Sequence, residues 1–475
     1  MTRAADRAAA TRQAWLEAVE RHRHDRDAPG SADYWSPSLD TASRDELRAI
    51  QDDKIRAVAP FLYENSDFYR RRFDGLGLLP TDLRTVGNLT AKWPVIDKQE
   101  MAEDAAAHSP YGTYTAMNNE IWAQRGWMMF SSPAQPTRHG SFVTPTSTGN
   151  SGRGPTRALH SMDFRQGDTV FMITGYGPHV WAWGVQYALA KMGLPTLPGG
   201  GMDARARANI VIRYKPTILL CTPSYALHLG RTVEALGVDP RTTAVRTLFV
   251  AGEPGMSVAA TRERIQALWD ARLVEFYGCT EASPHVGGFS CPHSQPAGGP
   301  VSTHLLEDVQ VWETVDPVSR SPQAEGERGL TVSTNLNSES SPQLRFLVGD
   351  YAKFDRSRCA CGRTHVRALG SFAGRADDLI NLRGIKMFPG QIEHAVRSIA
   401  GIGDEFEIVL TTNADGLDVM MVRVEHPARA EIAAAVADEI RTRCEVRAEV
   451  EVLTPGTLPR TEFKAARVKD RREKR

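Results

Sequence analysis

A chain of 475 residues with 41% hydrophobic and 24% charged side chains has an ordinary globular composition, which excludes intrinsic disorder and fibrous architectures. Its 57 basic and 57 acidic residues cancel, so no global field favours nucleic acid or a membrane surface, and small molecules are the expected partners. The N-terminal stretch mixes acids with arginines and no window approaches the roughly 18 consecutive apolar residues of a membrane span, so a cytosolic enzyme is expected.

Residues 1 to about 75 read as helical, with Trp15, Val19, Leu47, Ile50, Ile55, Val58 and Leu62 at near-helical spacing. From about 140 to 290, apolar runs (Asp168 to Thr174, Pro216 to Cys221, Val245 to Ala251) alternate with helix-like stretches (Ala204 to Arg213, Ser257 to Trp269), the pattern of a parallel α/β body. Strand-like Val309 to Glu313 and Gly329 to Thr334 add a β-rich subdomain. After Gly374 comes an α+β pattern, with helices over Gln391 to Ser398 and Arg429 to Arg441 and strands over Phe406 to Thr411 and Val419 to Val424. The expected fold class is α/β: a large N-terminal body with its β-rich subdomain over 1–374, and a small mobile C-terminal α+β domain over 375–475. The basic run from Lys469 to Arg475 reads as a solvated end.

Four segments carry chemistry. In Thr146-Ser-Thr-Gly149-Asn-Ser-Gly152-Arg153-Gly154-Pro155-Thr156, hydroxyls alternate with glycines, so backbone N–H groups and side chains can wrap a phosphate, although no Gly-Lys-Ser/Thr of a Walker loop is present. In Phe276-Tyr277-Gly278-Cys279-Thr280-Glu281, a ring, a hydroxyl and a carboxylate suit a base, a phosphate and Mg²⁺. Asp350 after Gly349 can accept two ribose hydroxyls, with Arg375 as a backing cation. Lys464 follows in Leu458-Pro-Arg-Thr461-Glu-Phe-Lys464.

In this order and at these separations the four segments resemble the superfamily of acyl-CoA synthetases, nonribosomal adenylation domains and luciferases, and within it the phenylacetate-CoA ligase branch. Asp67-Phe-Tyr-Arg-Arg-Arg-Phe73 and Trp93-Pro-Val-Ile-Asp-Lys98 look like that branch's N-terminal pattern. The resemblance implies that Ser147, Thr148, Gly149, Ser151 and Gly152 hold the ATP phosphates, that Gly252-Glu253-Pro254, Tyr277 and Gly278 line the adenine side, and that Asp350 and Arg375 hold the ribose. It further implies Thr280 at the α-phosphate, Glu281 on Mg²⁺, Asp377 as hinge and Lys464 as catalytic lysine. Two departures stand out: Arg153-Gly154 interrupts the family's Gly-Lys-Pro, and Phe463 replaces the glycine before the lysine. The acid is expected beside Tyr176, His179 and Trp181, where Trp183 also lies, and the aromatic content there suggests a planar substrate.

Cys359-Ala-Cys361, with Cys291 and His304 upstream, fits a closed structural zinc site, and the same branch resembles this arrangement. His293 and His365 stay open as fourth ligands, while Cys221, Cys279 and Cys444 read as packed thiols. The expected reaction is ATP- and Mg²⁺-dependent adenylation of a small aromatic acid, followed by acyl transfer to coenzyme A. An amine acceptor, nitrite activation and a silent nucleotide-binding relative remain open, as does a homodimer.

Overall fold

The computed structural model describes residues 3–23, 27–108, 111–117, 127–132, 142–147, 153–177, 180–279, 287–297, 299–338, 340, 342–413, 417–428, 430–461 and 465–472. They form two compact units: residues 1–167, 176–195 and 276–369, and residues 168–175, 196–275 and 370–475. Helices and strands are numbered along the chain.

In the first unit, α1 (Arg3–Arg21), α2 (Pro37–Asp40) and α3 (Arg44–Asn65) lead, and α3 begins at a reciprocal capping box between Ser43 and Glu46. Its expected apolar face is buried, and the Trp15 ring stacks on Phe61 at 4.6 Å. Short helices α4 (Asp67–Gly75), α5 (Val86–Lys92) and α6 (Lys98–Ala107) follow. A hairpin of β1 (Trp127–Ser132) and β2 (Phe142–Ser147) precedes α7 (Arg153–Ser161), and α8 (Val180–Met192) comes next in this unit. The β-rich part is antiparallel, ordered β10 (Gln310–Val315), β11 (Arg328–Asn335), β12 (Gln343–Asp355), β13 (Arg367–Leu369), β9 (Ser302–Leu305) and β8 (Gly288–Phe289), ending on the last two residues of β7 (Arg272–Tyr277).

The second unit holds the parallel strands in the order β7, β6 (Thr247–Val250), β5 (Ile218–Cys221), β3 (Val170–Met172), β4 (Thr196–Pro198). β3, β5 and β6 are buried throughout, as strands covered on both faces must be, which is why they read as short continuous apolar runs. Helices α9 (Ala204–Tyr214), α10 (Pro223–Ala235) and α11 (Ala259–Trp269) connect them. The C-terminal part packs α12 (Pro389–Ser398) and α13 (Ala430–Cys444) on a four-stranded sheet ordered β18 (Glu449–Leu453), β17 (Asp418–Glu425), β16 (Phe406–Thr412), β19 (Val468–Asp470), around Ile392, Val396, Ile408, Val422, Val436 and Ile440. β14 (Ile380–Leu382) and β15 (Ile385–Met387) form a separate hairpin whose Ile380, Leu382 and Met387 join this core. The fold class is thus α/β with a large mixed sheet and a C-terminal α+β domain. Among the described residues, no helix is long and apolar enough to cross a membrane.

Two expectations change. The last helix runs to Cys444 rather than Arg441, because Val436, Ile440 and Cys444 continue one buried stripe at four-residue spacing. The basic terminal run is not simply solvated: Val468–Asp470 pairs in parallel with β16, Lys469 meets Glu407, and Arg472 pairs with Asp418 at 3.1 Å.

A buried charge cluster ties α7 into the first unit. Arg157 donates to Asp40 Oδ1 at 2.9 and 3.1 Å and to both oxygens of Asp308 at 2.9 Å. Lys54, also buried, donates to the Asp308 carbonyl at 2.7 Å and to Asn337 Oδ1 at 2.9 Å. Burial pushes the Lys54 ammonium down to about 8 from 10.5, against the opposing pull of Asp308. Between pH 8 and 10.5 the unfolded chain therefore holds more protons at this residue, and its contribution to stability rises with pH across that window. The rise amounts to roughly 3 kcal/mol. Urea denaturation of the wild type and Lys54→Met at intervals from pH 7 upward should show the wild type gaining on the variant through this range; parallel curves would remove the assignment.

Candidate active site

The residues expected on the nucleotide side, Tyr277 and Asp350, meet where β7 joins the antiparallel strands. Tyr277 ends β7, and its hydroxyl donates to Asp350 Oδ2 at 2.5 Å across 73 residues of sequence. The Asp350 carboxylate reaches this position through a bulge. Between the pairs Leu330↔Tyr351 and Val332↔Leu347, β12 spends two more residues than β11, and Gly349 sits there at φ +84°. A side chain at that φ would be strained, which gives a physical reason for glycine before the aspartate. Asp350 is 8% exposed, enough burial to sharpen any hydrogen bond it accepts.

In the second unit Gly252, at φ +86°, turns the chain out of β6 into Glu253. The Glu253 carboxylate accepts from Ser224 N at 3.2 Å, from Ser224 Oγ at 2.7 Å and from Ala465 N at 2.5 Å. Burial raises its pKa, and these three donors oppose that rise. The side chain, expected to border a base, anchors the residue that follows Lys464. Pro254 is exposed beside it. Arg375 makes a two-point pair with Asp377, at 2.8 and 3.1 Å, so the expected ribose cation and the expected hinge residue hold one another.

Among the residues expected beside the acid, Tyr176 donates to Gln186 Oε1 at 2.6 Å and its ring lies 5.0 Å from that of Trp183. Trp183 in turn donates Nε1 to the Gly177 carbonyl at 3.2 Å. Trp181 and Trp183 of α8 are half-buried, whereas Val180, Ala182, Gly184 and Val185 are buried. Gln186 was not marked by the sequence; its spacing from Trp183 on a helix is the signal that could have found it. Gly278 follows β7 and is exposed. Ser147 closes β2 and Arg153 opens α7 on either side of the segment expected to hold phosphate. Thr148, Gly149, Ser151, Gly152, His179, Thr280, Glu281 and Lys464 lie outside the described residues.

The metal-type residues converge in the first unit. Cys291, His304, Cys359 and Cys361 place their ligand atoms within 4.8 Å of one another. Cys291 Sγ lies 3.9 Å from Cys359 Sγ, and Cys361 Sγ lies 3.5 Å from His304 Nε2. A tetrahedral ion with ~2.3 Å bonds to sulfur and ~2.0 Å to nitrogen needs separations of about 3.8 and 3.5 Å, so the cluster fits such an ion. His365 is engaged elsewhere: Nδ1 accepts from Glu307 N at 3.0 Å and Nε2 meets the Leu39 carbonyl at 2.9 Å. His293 is exposed and outside the cluster.

Comparison with known proteins bears on all of this. A family model for the AMP-binding enzyme C-terminal domain matches residues 384–472. The phenylacetate-coenzyme A ligase of Thermus thermophilus is 27% identical over 463 residues, covering 92% of this chain and 100% of that protein. That of Pseudomonas putida is 28% identical over 444 residues, covering 91% and 96%. The chain is a phenylacetate-CoA ligase-like member of the adenylate-forming superfamily. AMP-forming acid-CoA ligases are the homologues of this ligase. A crystal structure of 2-hydroxyisobutyryl-CoA ligase in the postadenylation state, in complex with 2-HIB-AMP, superimposes with a TM-score of 0.86 at 25% identity, covering 96% of each chain.

Proposed function

We propose that this ligase uses ATP and Mg²⁺ to convert a small aromatic carboxylic acid to its acyl-adenylate and then passes the acyl group to coenzyme A. The observation that carries the reading is the Tyr277–Asp350 pair. Two residues that the family resemblance assigns to adenine and ribose, far apart in sequence, meet within hydrogen-bond distance. Attack of a carboxylate on the α-phosphorus brings one anion to another, so the chain's own task is positioning and charge neutralisation. Asp350 accepts the ribose hydroxyls, the Tyr277 ring faces the base, and Lys464 neutralises developing charge. Mg²⁺ held by Glu281 would screen the phosphates. Closure of the domain from about residue 375 keeps water from the acyl-adenylate, and its rearrangement about Asp377 admits the acceptor.

Pyrophosphate release should be measured over phenylacetic, benzoic and cinnamic acids, their amino and hydroxy derivatives, 2-hydroxyisobutyrate and nitrite, each with and without coenzyme A. Aryl-dependent release with a thioester product supports the reading. The structural likeness to 2-hydroxyisobutyryl-CoA ligase favours a small hydroxy acid as the second reading, and preference for 2-hydroxyisobutyrate would establish it. Release with nitrite alone would overturn both.

Glu253→Gln tests the anchor on Ala465. Loss of the charge weakens three hydrogen bonds at once, and acyl-adenylate formation is expected to slow about tenfold. Transfer from preformed acyl-adenylate should slow much less, because the anchor serves the segment carrying Lys464. Equal slowing of both half-reactions would reduce Glu253 to a structural residue.

Zinc is the proposed occupant of the cluster of three cysteines and His304, with no open coordination position and hence a structural task. One zinc per chain is the expected result of elemental analysis, with loss of the ion and a lower melting temperature in Cys359→Ser. Zinc-free protein of unchanged melting temperature would overturn it.

A further inference from the structure

A cleft in the second unit has no part in the roles assigned so far. In the parallel strand order, the chain leaves β3 to one side for β4 and returns on the other side through β5, β6 and β7. β3 and β5 therefore flank a topological switch point, where a crevice opens beyond the C-terminal ends of the strands. A cleft of about 420 Å³ lies there, lined among others by Thr174 after β3, Arg207 on α9, and Thr222, Tyr225 and His228 at β5 and α10. β5 pairs with β6, so the cleft neighbours the strand that leads into Gly252 and Glu253.

Arg207 is held in a receptive pose. Its Nε donates to the Gly199 carbonyl at 3.1 Å, and its guanidinium carbon lies 4.9 Å from the Tyr225 ring centre. One donor and one face are thus fixed, and the two terminal nitrogens remain for a ligand. Among the described residues, no carboxylate pairs with Arg207. Asp203, one turn earlier, is used to cap α9 through Ala206 N at 2.7 Å. Glu253 is taken up by Ser224 and Ala465. Cys221, also in the lining, is pushed up to about 12 by burial and offers no competing anion. A rigid guanidinium fork in a partly enclosed cleft with threonine hydroxyls nearby is suited to two-point binding of a carboxylate or phosphate. An aryl acid whose one carboxylate is used in the attack on the α-phosphorus would give such a group nothing further to bind.

We propose that this cleft is an anion-accepting subsite, in which Arg207 binds a charged group carried by a substrate other than ATP. The anion is either a second acidic group on the acid or a phosphate of the coenzyme A acceptor. The inference rests on the ligase reading, and its test separates the two.

Arg207→Met keeps the stem and removes the charge, and Arg207→Lys restores the charge without the fork. Two assays distinguish the sources. Pyrophosphate release without coenzyme A is compared for phenylacetic and 4-carboxyphenylacetic acids, and thioester formation is compared for coenzyme A and pantetheine, which lacks the phosphates. If the acid carries the anion, Arg207→Met raises KM for 4-carboxyphenylacetate by roughly tenfold or more and leaves phenylacetate near its wild-type value. If the acceptor carries it, the same rise appears in KM for coenzyme A and not for pantetheine. Partial recovery in Arg207→Lys supports either arm. A variant with wild-type melting temperature in which no KM moves beyond about twofold overturns the proposal. Should the wild type turn over no acid, the ligase reading fails first, and the cleft is then tested by calorimetry with coenzyme A and with 4-carboxyphenylacetate. Binding weakened roughly tenfold in Arg207→Met sustains the subsite; equal binding, or none to the wild type, overturns it.

Discussion

Replacing Asp350 by alanine is expected to lower kcat/KM for ATP by about two to four powers of ten, read from pyrophosphate release as ATP is varied. A carboxylate that accepts both ribose hydroxyls makes two charge-assisted hydrogen bonds, each contributing about 1.5–3 kcal/mol. Its low exposure means that water would replace those bonds poorly in the variant. Two controls apportion the loss. Tyr277→Phe removes the 2.5 Å hydrogen bond that orients the carboxylate but keeps the ring, and its effect should be smaller, about tenfold. Gly349→Ala strains the bulge at φ +84° without touching the carboxylate, and should move KM for ATP in the same direction. An Asp350→Ala enzyme within about threefold of wild type would remove the ribose assignment and the main support for the nucleotide site.

Arg157→Met should destabilise the protein by about 3–5 kcal/mol, measured as a shift in the denaturation midpoint. The cause is what remains: Asp40 and Asp308 are 0% and 2% exposed, and both would lose the Arg157 guanidinium, leaving Asp40 the longer ion pair with Arg363 at 3.9 Å. Burial alone would raise the Asp308 carboxyl, but Arg157, His365 and Lys54 together hold it down to about 2, from 3.8. A carboxylate depressed in this way contributes stability above pH 3.8 that is lost as the pH falls through 2, and the contribution should shrink in the variant. Neutralising both partners as well, in Asp40→Asn with Arg157→Met and Asp308→Asn, should recover part of the loss. A midpoint shift equivalent to less than about 1 kcal/mol would mean that water reaches the cluster. Arg157 lies one turn into the helix after the proposed phosphate loop, so the variant also tests whether that loop depends on a fixed α7.

The sequence by itself determined what short-range periodicity can encode. The parallel strands announced themselves as apolar runs bounded by helical stretches, and the face of α3 as a helical stripe. The aspartate after Gly349 and the cysteine pair at 359 and 361 were legible because a few adjacent residues define their chemistry. β4 and β19 were not legible: each is three residues long and specified by its neighbour's edge rather than by its own pattern.

Only the tertiary structure decided which distant residues meet. His304 joins the thiolates because β13 pairs with β9 in the register Arg367↔His304, while His365, two residues before Arg367, turns to the Leu39 carbonyl and Glu307. The sequence allowed both histidines; strand pairing separates them. Glu253 looked like the lining of a base, yet its carboxylate finds Ala465, 212 residues on, through the packing of the second unit. Arg207 carried no motif at all, and its significance comes from the crossover that opens a crevice between β3 and β5. The physical reason is common to all three. Local propensity fixes what an element is, whereas sheet order and register fix what it faces, and those depend on contacts across the whole chain.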